Sequence, residues 1–202
     1  MTSVIRQAGR VSVVTPPTGD ILTIAELHAH LRVDGPQDDL VIRACLAAAI
    51  GEIDSPHGWL GRSLLSRTLR LTLDEMPGEA IYLPGPPVSS ISATSCGITY
   101  RDADNAWQTV ATADYTSDLT AEPALIWPLE SWPSDMVGGV DGVRVQYIAG
   151  YSTGAVIPQP IRQWLLMRTA ELYRDREPSA LGTNFAHLPH ADRMLDAWRV
   201  YA

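Results

Sequence analysis

The chain has 202 residues, 46% hydrophobic and 19% charged, enough for one domain with a sizeable core or one domain plus an insertion. A formal net charge of −8 makes it a poor candidate for wrapping nucleic acid, because phosphate contacts need clustered cations. No apolar run reaches the roughly 18 residues of a membrane span, and the first ten residues hold no apolar stretch of signal-peptide length, so neither a membrane protein nor a secreted one is expected.

Residues 1–20 read as an arm. Val11 to Val14 can pair as a short strand, and Thr15 to Gly19, with two prolines, break anything regular. The arm is either a free terminus or a segment that orders against a neighbouring subunit. Thr23 and Glu26 then have capping-box spacing, and Ile24, Leu27 and Leu31 follow at helical spacing. Asp34, Gly35 and Pro36 stop this short helix. Asp38 and Asp39 sit where negative charge suits the start of a second helix, which carries Leu40, Ile42, Leu46, Ile50 and Ile53 and runs to about Gly58.

The period then changes from helical to alternating. Arg67 to Leu73 is a half-buried strand, and shorter strands follow at 80–83, 91–100, 107–110, 113–116, 125–127 and 143–149. Six or seven strands with turns between them suggest a small antiparallel sheet, sandwich or barrel. Helix returns at Pro158 to Pro160, where proline suits a first turn, and continues to about Glu177. A last short helix carries Met194, Leu195 and Trp198. The expected fold class is therefore α+β: a small helical bundle formed by N- and C-terminal helices, with an inserted antiparallel β subdomain. Its divisions are the arm (1–20), a first helical part (21–65), the β insertion (66–151) and a second helical part with a C-terminal docking segment (152–202).

No catalytic constellation is present: the nucleophile elbow, the phosphate loops and the paired-cysteine motifs are all missing. His28 and His30 point about 200° apart on a helix and cannot share a metal on one face. His187 and His190 form a loop pair with no cysteine or acidic cluster nearby in sequence. They are also the only candidates for a small hydrolase using a histidine and a carboxylate. Cys45 and Cys96 read as reduced core residues. No catalytic residue, metal or cofactor is expected. All fifteen basic residues are arginine, a bias that a GC-rich genome produces; arginine also suits ordered bidentate contacts at interfaces. Six tryptophans against one phenylalanine are many. Trp107 beside a hairpin tip and Trp132 in a proline-flanked loop are candidate interface anchors, though core packing of the sheet accounts for either one singly.

The ordered succession of Leu22 to Asp34, Asp38 and Asp39, Leu83 to Val88, Val145 to Tyr151, Val156 to Pro158, Tyr173 to Glu177 and Leu195 to Arg199 resembles the head-tail connector, or adaptor, proteins of long-tailed phages, including prophage and gene-transfer-agent versions. The resemblance implies a non-enzymatic structural protein of the virion neck, assembled in the bacterial cytoplasm. It implies a ring, typically dodecameric, beneath the portal protein, which extends the DNA channel and joins the head to the stopper and tail proteins. DNA would pass through without specific binding, and no membrane is involved. It assigns portal docking to the C-terminal segment, here Leu195, Trp198, Arg199 and Tyr201. Asp38, Asp39, Trp107 and Trp132 are the candidates for subunit or neck contacts. Two further readings stay open: another neck or tail-completion protein of the stopper type, and a soluble β-rich ligand-binding module.

Overall fold

The computed structural model describes residues 9–54, 56–91, 96–175 and 193–200. The capping box at Thr23 forms. The Thr23 hydroxyl accepts from the Glu26 N–H at 3.2 Å, and the Glu26 carboxylate accepts from the Thr23 N–H at 2.7 Å. Two of the four orphan donors at a helix start are thereby satisfied reciprocally. Helix α1 (Ile24–Leu31) follows and ends on Arg32 in the left-handed region. Helix α2 (Asp39–Ile53) comes after the acidic corner, and α3 (Gln159–Arg174) begins just past Pro158 with Pro160 in its first turn.

The three helices share one apolar core. Leu27 of α1, Ile42, Ala49 and Ile53 of α2, and Ile161 and Leu165 of α3 are each almost wholly buried in it. Arg168 of α3 reinforces the contact, donating to Glu52 of α2 at 2.7 Å and to Glu171 at 2.7 Å. Arg162 ties α3 to the start of α1 through the Ile21 carbonyl at 2.5 Å and the Glu26 carboxylate.

The chain between α2 and α3, joined by one strand from before α1, forms two antiparallel sheets. The six-stranded sheet runs β1 (Gly9–Thr15), β2 (Arg67–Leu73), β9 (Val143–Ala149), β5 (Gly97–Arg101) and β6 (Trp107–Thr109), with β4 (Val88–Ser90) also pairing to β9. The three-stranded sheet is β3 (Ile81–Leu83), β8 (Ala124–Pro128) and β7 (Tyr115–Asp118). Strict alternation in β2 and β9 sends Leu69, Leu71, Leu73, Val143, Val145 and Tyr147 to one face, where they meet Ile81, Leu83 and Ile126 of the smaller sheet in a second core. The Tyr147 hydroxyl, buried in this core, donates to the Pro84 carbonyl at 2.7 Å, and burial pushes its pKa up. The protein is thus α+β, with both sheets antiparallel as the alternating pattern implies.

Three local readings are specified further by the structure. Over residues 9–15 the arm forms β1, the edge strand of the six-stranded sheet, which pairs with β2 of the same chain, Val11 opposite Leu71. Nine strands appear among the described residues, because β1 and β4 (Val88–Ser90) add to the seven expected between residues 67 and 149; the 91–100 pattern is represented by β5 (Gly97–Arg101). Among the described residues, Arg193 is helical and Asp196–Trp198 forms a 3-10 turn, so Trp198 lies in that turn.

The Glu26 carboxyl is held below its ordinary range, first by the Thr23 backbone N–H, then by the Thr23 hydroxyl and by Arg162. A carboxyl lowered in the folded state stabilises above its unfolded pKa, and that contribution is lost as pH falls through the folded value. Thr23→Ala should cost about 1 kcal/mol at neutral pH. It should also flatten the acid limb of the stability curve, as urea unfolding across pH would show.

Candidate interaction surfaces

The two cores meet at the link between α2 and β2. Its residues Leu60, Arg62, Ser63, Leu64 and Leu65 are all buried. Two arginines fix it. Arg67, 6% exposed, pairs with the Asp54 carboxylate at the end of α2, whose other oxygen accepts from the Leu64 N–H at 2.9 Å. Arg62, 3% exposed, donates to both carboxylate oxygens of Glu122 just before β8, at 2.6 Å for Nη1. Its Nε donates to the Trp198 carbonyl at 3.0 Å. One guanidinium therefore holds together the link, the smaller sheet and the C-terminal segment. Buried arginine needs such a set of acceptors, since an unpaired cation inside a protein is costly. Tight backbone geometry accompanies it. Gly150 (φ +107) passes so close to Leu65 that a Cβ would lie 2.2 Å from its carbonyl oxygen, which leaves glycine as the residue that fits.

The C-terminal segment lies along this junction. Leu195 is 1% exposed in the helical core, Trp198 packs part-buried against the same core, and the Val200 N–H donates to the Leu60 carbonyl at 3.0 Å. The Arg199 guanidinium lies 4.3 Å from the centre of the Trp59 ring, and Trp59 is 39% exposed. Leu195, Trp198 and Arg199 are thus brought together with Trp59 and Arg62. Tyr201, His187 and His190 lie outside the described residues.

Asp38 and Asp39 both have partners within the chain. The Tyr173 hydroxyl of α3 donates to Asp38, and the His28 ring of α1 lies 2.7 Å from the Asp39 carboxylate. The acidic corner therefore fastens α2 to both other helices, a role that helix-start electrostatics alone does not reveal. His30 is exposed on α1. Trp107 and Trp132 have different surroundings. Trp107, 37% exposed, lies on the six-stranded sheet with the guanidiniums of Arg101 and Arg144 at 4.6 and 4.1 Å from its ring centre. Trp132 packs part-buried against the β core and donates its indole N–H to the Glu79 carbonyl at 2.9 Å, which straps its loop to the turn before β3. Sequence reasoning missed Arg62, Glu122 and the arginines around Trp107. An arginine at the point where the helical period gives way to the alternating one was the available signal.

Among the described residues no group of three or more histidine, cysteine, aspartate or glutamate side chains is placed to hold a metal ion. No described helix is long and apolar enough to cross a membrane.

No protein-family model matches the chain, and no curated protein matches it. Solved structures do. The chain is similar to one from the neck of an empty gene transfer agent particle computed with C6 symmetry, at 24% identity and a TM-score of 0.75 over 96% of each chain. A chain from the neck of a native particle computed with C12 symmetry matches at 23% identity and TM-score 0.68, covering 96% of each. A chain from the virion of a native gene transfer agent particle matches at 23% identity and TM-score 0.66, covering 95% of this chain and 96% of that one. The two cores and their connection are thus a fold that other proteins share almost end to end.

Glu122 is the replaceable half of the central pair, since its side chain is 42% exposed against 4% for Arg62. Glu122→Gln leaves the buried guanidinium without its carboxylate and should cost about 1–2 kcal/mol in urea unfolding, the lower part of the range for an orphaned buried partner. Arg62→Ala should cost more and should speed amide exchange at Val200, whose neighbour Trp198 then loses its tie to the link.

Proposed function

We propose that this chain is a structural protein of the neck of a phage-like particle, a head-tail adaptor whose ring lies beneath the portal, extends the DNA channel and joins the head to the stopper and tail. The observation that carries this reading is the fold shared over 96% of both chains with a neck chain of a gene transfer agent particle. The neck reconstructions with C6 and C12 symmetry support a ring of copies, and the order of motifs supports the adaptor position within it.

In this reading the helical unit acts as a bundle that builds the ring. α2 offers the surface for it. Leu40 is 81% exposed, and Ala44, Ala47, Ala48 and Gly51 are exposed on the same side of the helix. A glycine within a helix costs roughly 1 kcal/mol against alanine, which a close helix approach would explain. Portal docking falls to Leu195, Trp198, Arg199 and Tyr201, with Leu195 as the buried seat and Trp198 and Arg199 as the part-exposed surface. Asp38 and Asp39 serve the neck contacts by fixing the corner, and Trp107 and Trp132 lie on the β side of the subunit. A net negative chain suits a channel in which DNA slides, because like charge gives no counterion-release affinity.

Tagging the chain in particle-producing cells tests the proposal. The tag should appear at the joint between head and tail, and deletion of the gene should leave filled heads without tails. Heads and tails that join normally without the chain would sink the reading. A six-fold ring on the tail tube that makes no portal contact would favour the stopper-type alternative. Ala47→Arg, at the middle of the exposed α2 face, should change unfolding stability by no more than about 0.5 kcal/mol, as expected for a surface site, yet abolish entry into particles.

A further inference from the structure

The register of the six-stranded sheet gathers four arginines on its outward face. β2 contributes Arg70, β9 Arg144, β5 Arg101 and β1 Arg10, each out of step with the core positions of its strand. Arg10 lies opposite Thr72, Thr72 opposite Arg144, and Arg144 opposite Thr99; Arg70 faces Gln146 and Arg101 faces Trp107. With neighbouring strands ~4.8 Å apart, the four cations form a band on the order of 15 Å across four adjacent strands.

The residues between them are Ser12, Thr68, Thr72, Thr99 and Gln146, without a carboxylate. Among the described residues, acidic groups meet the band at the turns at its end: Asp74 holds Arg10 at 2.8 Å, and Asp141 holds Arg144 at 2.8 Å and acts by charge on Arg101 and Arg10 as well. The Arg70 guanidinium donates to the Gln146 amide oxygen at 3.1 Å and that of Arg101 to the Asn105 amide oxygen at 2.7 Å. Among the described residues neither forms an ion pair with a carboxylate, and Asp141 acts on Arg101 by charge alone. Trp107 stands beside Arg101 and Arg144 and is 37% exposed. The face is therefore cationic on a chain whose net charge is −8, and the rest of the chain is more negative still.

We propose that this face docks on an acidic surface of a second copy of the chain, head to tail. The inference rests on the ring reading. A ring closed by rotation uses two different surfaces of every copy, and those surfaces must complement each other. The cationic face and the acidic remainder of the same chain do so by charge. Arginine and tryptophan are the residues that concentrate binding energy at protein interfaces, and arginine engages carboxylates in bidentate fashion. The ring of Trp107 already carries two guanidiniums, so it serves as an anchor between cations more readily than as a platform for a base. Burying the arginines at the seams also leaves the free surface of the ring acidic, as sliding DNA requires.

Sedimentation of the full chain in about 20 mM and about 500 mM salt tests this, since screening acts on exposed charge pairs. The wild type should self-associate at low salt and weaken by about tenfold or more at high salt. Arg70→Glu with Arg101→Glu should stay monomeric at both, and Trp107→Ala should weaken association by about tenfold. Arg70→Gln with Arg101→Gln supplies a milder pair, and a native melting profile for either pair shows that the fold is kept. A wild type that stays monomeric at low salt overturns the proposal, as does a folded double variant that associates like the wild type. Labelled duplex DNA retained by the wild type and released by the double variant assigns the face to nucleic acid and overturns it too. In particle-producing cells, a double variant that still fills the neck removes this proposal and leaves the ring reading standing, whereas a wild type absent from the neck removes the ring reading.

Discussion

Two buried guanidinium groups determine how the halves of this protein are joined. Arg67 closes the end of α2 onto the first core strand of the β unit, and Arg62 gathers the link, the start of β8 and the C-terminal segment. Each half has its own apolar core, and apolar contact alone would leave their relative placement loosely specified, because it is non-directional. A planar cation with several fixed donors is directional. The helical unit and the sandwich are therefore oriented by hydrogen-bond geometry at one short stretch of chain.

The same residue type does different work on the surface. Within the helical unit, Arg162 and Arg168 clamp α3 to α1 and α2 through carboxylates. On the sheet, Arg70 and Arg101 hydrogen-bond to neutral amide oxygens, with Asp141 acting on Arg101 by charge alone. A chain with no lysine thus sorts one cation into buried fasteners, helix clamps and an outward band. Negative charge, by contrast, collects at turns and helix starts, where Asp38, Asp102 and Asp118 accept from neighbouring groups. The charge of the protein is segregated, and its net value describes neither surface.

Much of the fold was legible because it is set locally. The capping box, the three helices and the alternation of β2 and β9 follow from spacings of a few residues, and each forms as its pattern requires. What was not legible depends on distant partners. β1 is fixed by pairing with a strand more than fifty residues away, and nothing in Val11 to Val14 names that partner. The aspartates of the acidic corner suit a helix start on local grounds, yet Asp38 is also engaged by Tyr173. Arg62 and Arg67 are buried against the usual exposure of arginine, so composition pointed the wrong way. The resemblance assigned Leu195 to a docking segment; its burial depends on a core assembled from both ends of the chain.

The Trp198 carbonyl on Arg62 and the Val200 amide on Leu60 have a mechanical consequence. Tension applied at Val200 enters the protein at the link. From Arg62 it divides, into the helical core along the link and into the smaller sheet through Glu122. The turn at Asp196–Trp198 is thus a point of attachment whose load is shared by both halves.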